Sequence, residues 1–405
     1  MRVAYFVPDT GDPAVRRRVR MLHAGGAEVT VIGFRRESSP YGLIDGASVI
    51  DFGRTHDGRL GHRAVSVLAR RADLYRWARE IAGADILLAR NLEMLTLAAA
   101  ARRARAPRAR LVYECLDIHR TLVGASPASA ALRMLERRLL RQAQLLIVSS
   151  PAFLSNYFEP MQGVGSTIRT PTLLVENKVL ELEAPARPLV RRPAGPPWRI
   201  GWFGKIRCSR SLKILSGLAR RRPDLLRVVI RGSVARNEIP DFERRVEANE
   251  AVQFGGGYTA SDLPRLYGGV HFTWAIDYFE EGANSKWLLP NRLYEGARFG
   301  SVPLALSTVE TGRWLAERNI GLLLDDPGRE LEGLLEQMTP RKYSALHLAI
   351  ERSPQEMFVA DLTDCTRLTE ALERTSGRGV VSRLSRSRGG ATAAPNAAKS
   401  SAVLK

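Results

Sequence analysis

Short apolar runs alternate with amphipathic stretches from the first residue onward. That alternation argues for parallel sheets covered by helices. In the first half it predicts strands at Arg2 to Val7, Glu28 to Phe34, Ser48 to Phe52, Ala84 to Ala89, Arg110 to Cys115, Gln144 to Ser149 and Thr172 to Glu176. Unbroken runs such as Leu145, Leu146, Ile147 and Val148 suit strands buried on both faces. The pattern stops between Glu183 and Trp198, where Pro185, Pro188, Pro193, Pro196 and Pro197 remove backbone donors and fix φ. It resumes with predicted strands at Arg199 to Phe203, Leu226 to Arg231, Val252 to Gly255, Val270 to Ile276, Val302 to Leu306 and Ile320 to Leu324.

The expected fold class is therefore α/β, with two Rossmann-like, doubly wound domains facing a central cleft. The boundaries read from the pattern are 1–182 for the first domain, 183–198 for a Pro-rich linker and 199–345 for the second domain. A helical segment, 346–375, is interrupted by Pro354 and is free to pack back on the first domain. The last stretch, 376–405, is rich in Ser, Gly and Ala and carries Arg378, Arg383, Arg386, Arg388, Lys399 and Lys405 without an acid. It cannot bury a core and reads as a disordered basic tail.

Composition narrows the compartment. Only Val3 to Val7 is apolar before Pro8, too short for a secretory core of ~7–15 residues. No later stretch approaches the ~18 apolar residues of a membrane span. The expected location is cytoplasmic, with an option of peripheral contact at the inner face of the cytoplasmic membrane. Cys115, Cys208 and Cys365 fit no metal or disulfide spacing and read as buried thiols. The formal charge of +19 implies an anionic partner, whether phosphorylated substrate, acidic membrane or nucleic acid. From Gly61 to Ile81 a helical pattern sets Arg63, Arg70, Arg71, Arg76 and Arg79 beside Trp77. That composition can settle on an anionic membrane, or form an ordinary domain helix with a solvated basic face.

The most informative segment runs from Asn284 to Leu306, N-S-K-W-L-L-P-N-R-L-Y-E-G-A-R-F-G-S-V-P-L-A-L. Pro290 suits a helix start and Gly300 a helix end. Glu295 then projects from a short helix beside the cleft, where a carboxylate can accept both hydroxyls of a ribose. The free N–H groups at the helix start can take a diphosphate.

This segment resembles the P-x-K-x-x-E-x-x-x-x-G-x-P motif of GT-B glycosyltransferases, especially the family-4-like enzymes of bacterial exopolysaccharide and succinoglycan assembly. Arg292 stands at the family's Lys, and Pro303 falls one place late. The resemblance implies that Glu295 binds the donor ribose and that Asn291 lies in the same loop. A second match, I-G-W-F-G-K-I-R-C-S-R, resembles the family's strand, Gly and basic pair, carried here by Gly204, Lys205 and Arg210 with Arg207 between them. Those residues imply a diphosphate site built from cations and backbone donors. On the acceptor side, the Gly-bearing loop P-D-T-G-D-P contains Asp12, and L-V-Y-E-C-L-D-I-H-R contains Asp117, His119 and Arg120. The resemblance implies that Asp117 or His119 faces the reacting sugar. Glu136, Asn91 and Glu176 are similar to positions in related bacterial enzymes.

One departure matters: the family's first Glu, eight residues before Glu295, is Trp287. Either Glu280, Glu281 or Lys286 takes over its contact with the transferred sugar, or the sugar is held differently. The implied activity is metal-independent transfer from a nucleotide-sugar donor, a substrate rather than a cofactor, to a saccharide or polyprenyl-linked saccharide. Gly255, Gly256 and Gly257 lack a GxGxxG context, Asp325 and Asp326 lack metal-binding spacing, and no G-x-S-x-G elbow occurs. The rival readings are a nucleotide-sugar epimerase, a non-catalytic partner subunit and a basic nucleic-acid-binding protein. The last is disfavoured because the arginines are spread over many helices without a nucleic-acid motif.

Overall fold

The computed structural model describes residues 1–36, 38–55, 78–183 and 192–374. The first half contributes β1 (Arg2–Val7), β2 (Glu28–Arg35), β3 (Leu43–Ile44), β4 (Ala47–Arg54), β5 (Ile86–Arg90), β6 (Arg110–Cys115), β7 (Leu145–Val148) and β8 (Thr172–Leu174). They form one sheet in the order β3-β4-β2-β1-β5-β6-β7-β8. Every pairing in it is parallel except that of β3 with β4. The chain then forms β9 (Val179–Leu180), and the second sheet follows: β10 (Trp198–Ile206), β11 (Leu226–Val234), β12 (Val252–Phe254), β13 (Phe272–Trp274), β14 (Val302–Leu306) and β15 (Leu322–Leu324). Its order is β12-β11-β10-β13-β14-β15, all parallel.

In each sheet the chain winds outward on one side and returns to start on the other. The reversals fall between β1 and β5 and between β10 and β13. Loops diverge at such points, which opens a crevice beyond the carboxyl ends of the strands. The loops after β1, β5 and β6 therefore belong to one site, as do those after β10 and β13.

The predicted strands match closely because fully apolar runs, such as Leu145–Val148, are buried along their whole length. Three strands escaped the pattern: β3, β9 and β16 (Val359–Ala360), each too short to show alternation. β9 and β16 pair in parallel as a separate two-stranded sheet. The segment after Pro340 is not one interrupted helix. Helix Pro340–Glu351 ends before Pro354, β16 follows, and helix Leu362–Arg374 begins anew. This last helix lies on the first half. Thr369 Oγ1 donates to Gly25 O at 2.9 Å, and Cys365, Leu368 and Leu372 are buried with Val15, Val19 and Leu22. All three cysteines are buried and free. Among the described residues no helix is long and apolar enough to cross a membrane. The basic stretch from Gly61 falls outside the described residues as far as position 77, as do residues 184–191 of the Pro-rich linker and the whole tail.

Beneath the first sheet lies a buried charge cluster that binds its central strands together. Glu114, near the end of β6, receives Arg18 Nε at 2.6 Å and Arg90 Nε at 2.9 Å, and Tyr5 of β1 donates its hydroxyl to the same carboxylate. Arg90 continues outward to Asp12 Oδ2 at 3.4 Å and Ala14 O at 3.1 Å. Burial alone would raise the Glu114 carboxyl, but the Arg90 and Arg18 guanidiniums outweigh it and hold it at about 2. Because the folded value lies below the ordinary 4.5, this contribution to stability is complete above 4.5 and is lost as pH falls toward 2. Exchanging Glu114→Gln strands two buried cations. Urea unfolding at pH 7 should show a loss of about 3–5 kcal/mol, and the variant should lack part of the wild-type decline in stability between pH 4.5 and 2.

Candidate active site

The wall expected to hold the donor is assembled from the β10 and β13 loops and helix Asn291–Arg298. Gly204 and Gly232 sit opposite one another on β10 and β11 with φ of 108° and 134°, and a Cβ on Gly232 would lie 1.8 Å from Gly204 O. This close approach shapes the strand end from which Lys205 and Arg207 leave. Lys205 is exposed and makes no ion pair among the described residues. Arg207 Nη2 donates to Asp277 Oδ2 at 3.2 Å, and its guanidinium lies 4.6 Å from the Phe279 ring centre. Arg292 is buried, with Nη2 on Ile276 O at 3.1 Å and 3.9 Å from Asp277 Oδ2, while its Nε has no partner. Asp277 thus holds two cations at one carboxylate. Burial would raise its carboxyl, yet Arg292 and Arg207 keep it below its ordinary value.

Glu295 is half-buried, and Tyr267 donates its hydroxyl to Oε2 at 2.6 Å. Burial raises the Glu295 carboxyl against the opposing pull of Tyr267, Arg17 and Arg292. Arg17 belongs to helix Pro13–Ala24 of the first half, so Glu295 feels a cation from across the cleft. Arg17 itself is lowered to about 10, first by burial and then by Arg18 and Arg90. Its guanidinium bonds Asn177 Oδ1 at 2.5 Å. Asn291 is exposed at the start of the Glu295 helix. Arg231 ties down the glycine loop by donating to Gly256 O at 3.1 Å and Gly257 O at 2.6 Å.

The opposite wall comes from the first half. Asp12 caps helix Pro13–Ala24 by accepting from Ala14 N at 2.9 Å. Asp117 lies past the end of β6. It is exposed at the surface, and protein crowded around it raises its carboxyl against Arg207 and a hydrogen bond from Asn284. His119 caps helix Arg120–Val123, its Nδ1 accepting the Thr121 N–H at 3.3 Å. A neutral imidazole so engaged carries its proton on Nε2 and presents a donor rather than a base. Glu280 is raised by burial, with Arg207 opposing, Asp117 adding and Arg120 opposing. Asp117, Glu280, Arg207 and Arg120 therefore share one electrostatic neighbourhood.

Some expected residues stand apart from it. Arg210 turns outward, bonding both oxygens of Glu281 at 3.0 Å in an exposed pair and covering the Tyr278 ring at 4.1 Å. Lys286 is exposed, on the turn Asn284–Trp287. Trp287, at the place of the family's first Glu, packs on the core of the first half, and Ser150 donates to its carbonyl. Glu136 is buried among Tyr113, Tyr157 and Gln162 beneath the sheet. Glu176 takes the Tyr294 hydroxyl at 2.9 Å and Trp314 Nε1 at 3.0 Å. Asn91 begins helix Asn91–Arg105 with φ of 65°, its Oδ1 buried without a partner. Sequence reasoning missed Asp277 and Asn284. An acid directly after the apolar run ending in Ile276 was the available signal for Asp277. Nothing in the local pattern marked Asn284.

Two largely parallel sheets meeting at the carboxyl ends of their strands, with a half-buried Glu on the helix after β13, define a GT-B glycosyltransferase. Solved structures agree on the fold. Sucrose-phosphate synthase from Thermosynechococcus elongatus superposes with a TM-score of 0.69 at 14% identity, covering 93% of this chain and 99% of that one. HepE of Anabaena, solved with UDP-glucose, gives 0.63 at 15% identity over 93% and 99%. Residues 11–170 match the glycosyl transferase 4-like domain. Succinoglycan biosynthesis protein ExoL of Rhizobium meliloti is 43% identical over 381 residues, 92% of this chain and 93% of that protein. The chain belongs to the glycosyl transferase 4-like family and is a glycosyltransferase. That membership indicates a transferase in place of an epimerase or a nucleic-acid-binding protein.

The strand contact beneath the donor loop is testable. Gly232→Ala combines a strained φ with backbone overlap, and should cost about 3 kcal/mol by thermal or urea unfolding.

Proposed function

We propose that the protein transfers a sugar from a UDP-sugar such as UDP-glucose to a lipid-linked saccharide during bacterial exopolysaccharide assembly of the succinoglycan type. The observation that carries this reading is half-buried Glu295, with Arg17 of the other half near it, beside the unpartnered Nε of Arg292 and a clamp whose Arg207 lies near Asp117. Succinoglycan biosynthesis as the work of the 43% identical relative, and UDP-glucose in the HepE complex, support the donor and pathway class.

In this reading Glu295 accepts the ribose hydroxyls, and Arg292, Lys205 and Arg207 face the diphosphate with Gly204 leaving room for it. Cations and backbone donors take the charge of the leaving group without a resident metal. Asp117 takes the proton of the acceptor hydroxyl as that oxygen attacks the anomeric carbon and the bond to the diphosphate breaks. Its raised carboxyl suits a general base better than an ordinary aspartate. His119, with its donor nitrogen, and Arg120 orient the sugar or acceptor, and Glu280 takes the place of the absent first Glu. A lipid-linked acceptor brings the enzyme to an anionic membrane surface. Exposed Met134 and Leu135 on helix Pro127–Leu140, with Arg138 and Arg141 beside them, support such peripheral contact.

A thermal-shift series with UDP, GDP, ADP, CMP and their sugars tests the donor site, with selective stabilisation by UDP and UDP-glucose expected. Glu295→Ala should weaken UDP binding about 10- to 100-fold, the loss of charge-assisted bonds worth about 1.5–3 kcal/mol; unchanged affinity would sink the assignment. Ribose binding needs the ionised carboxylate, whose proton is held above the ordinary 4.5. Wild-type affinity should therefore begin to fall at a higher pH than an ordinary carboxylate would allow, and Glu295→Gln should flatten that limb.

A further inference from the structure

At the reacting centre a side chain of the second half bonds directly to the first. Asn284 is 2% exposed. Its Nδ2 donates to Asp117 Oδ1 at 3.0 Å, and its Oδ1 accepts the Ile118 N–H at 3.2 Å. It comes from the loop between β13 and the Glu295 helix, whereas Asp117 and Ile118 follow β6. One carboxamide therefore uses both of its faces on consecutive residues of the opposite half.

We propose that Asn284 is a positioning residue for glycosyl transfer: it aims the Asp117 carboxylate at the acceptor hydroxyl and makes that aim depend on the donor half being in place. The proposal rests on the reading of Asp117 as the base. Only a primary amide supplies a donor and an acceptor together at this distance. An aspartate has no proton to give the carboxylate, and a serine is too short to span both contacts.

The turn that carries Asn284 is itself fixed. Ser285 Oγ accepts from Glu280 N at 3.0 Å, and Leu288 N returns to Asn284 O at 3.0 Å. Trp287 and Leu288 pack on the core of the first half, where Ser150 holds the Trp287 carbonyl. The position that carries a glutamate in the family motif is thus given to an anchor, and the anchor delivers the amide to Asp117. From the first half, Arg90, Asp12 and Cys115 also face this carboxylate, and from the second, Arg207 and Glu280. Arg207 and Arg90 favour its charged form, while Asp12 and Glu280 oppose it. The amide N–H adds to the first group. Separation of the halves breaks both Asn284 bonds at once. Asp117 then loses its orientation.

In the step itself the acceptor oxygen forms its bond to the anomeric carbon as its proton passes to Asp117. The anomeric C–O bond to the diphosphate breaks, and its electron pair leaves on the diphosphate.

The test is steady-state release of nucleoside diphosphate by the full chain, with water as acceptor. The donor is whichever of UDP-glucose, GDP-mannose or ADP-glucose stabilises the protein. Wild type, Asn284→Ala and Asp117→Asn are compared from pH 5 to 9, alongside affinity for the free nucleoside diphosphate. Asn284→Ala should lower kcat roughly 10- to 100-fold and move the acid limb of the kcat profile to higher pH, with nucleotide affinity within about twofold of wild type. Should it fail to fold, Asn284→Ser, which cannot reach both partners, is expected to show the same shift. Wild-type kcat and an unmoved limb in the Asn284 variant, with Asp117→Asn inactive, would overturn the positioning role and leave the base assignment standing. A slower enzyme with an unmoved limb would mark general loosening and overturn it too. Full activity in Asp117→Asn would remove the base and the proposal together.

Discussion

Glu114 carries a full negative charge where no water reaches it, and the loops of the first half hang from the groups that neutralise it. Arg18 comes from the first helix, Arg90 from the end of β5 and Tyr5 from the middle of β1. Arg90 goes on to Asp12 and Ala14, so the entry to the first helix is registered against the same carboxylate. A buried charge tolerates little displacement of its partners. The consequence is a rigid wall on which Asp117 and His119, only a few residues beyond Glu114 on the same chain segment, stand at a fixed place.

The other wall uses the same device near solvent. Asp277 draws Arg207 and Arg292 to one carboxylate, which separates the two cations from their mutual repulsion and leaves Arg292 Nε without a bond. An anion arriving at this loop finds guanidinium groups already oriented, so less ordering is left to the moment of binding. Glu295 lies on the next helix with its carboxylate half satisfied by Tyr267. Glu295 and the cation clamp are therefore neighbours in sequence as well as in space.

Much of the fold was legible because parallel strands buried on both faces are written as unbroken apolar runs. β1, β6 and β14 fall where those runs begin and end. β9 and β16 were not legible, since two residues cannot display a period, and their pairing joins positions 180 residues apart in the chain. At the site the motif spacing led to Glu295 and to the basic residues after β10. It did not separate Arg207, which turns inward to Asp277, from Arg210, which turns outward to Glu281. Nor did it reveal Asn284, whose partners Asp117 and Ile118 are distant in sequence. Spacing reports which residues share an element. It is silent on which loop of the opposite half each will meet.

The last helix has a consequence for biosynthesis. Leu362–Arg374 covers an apolar face made of Val15, Val19 and Leu22, residues synthesised well before that helix. Until synthesis has passed the last helix described, that face lacks its native cover, although the second sheet can already close upon itself. The domain begun first is thus finished last, and the nascent chain must keep an oily surface from foreign contacts throughout translation.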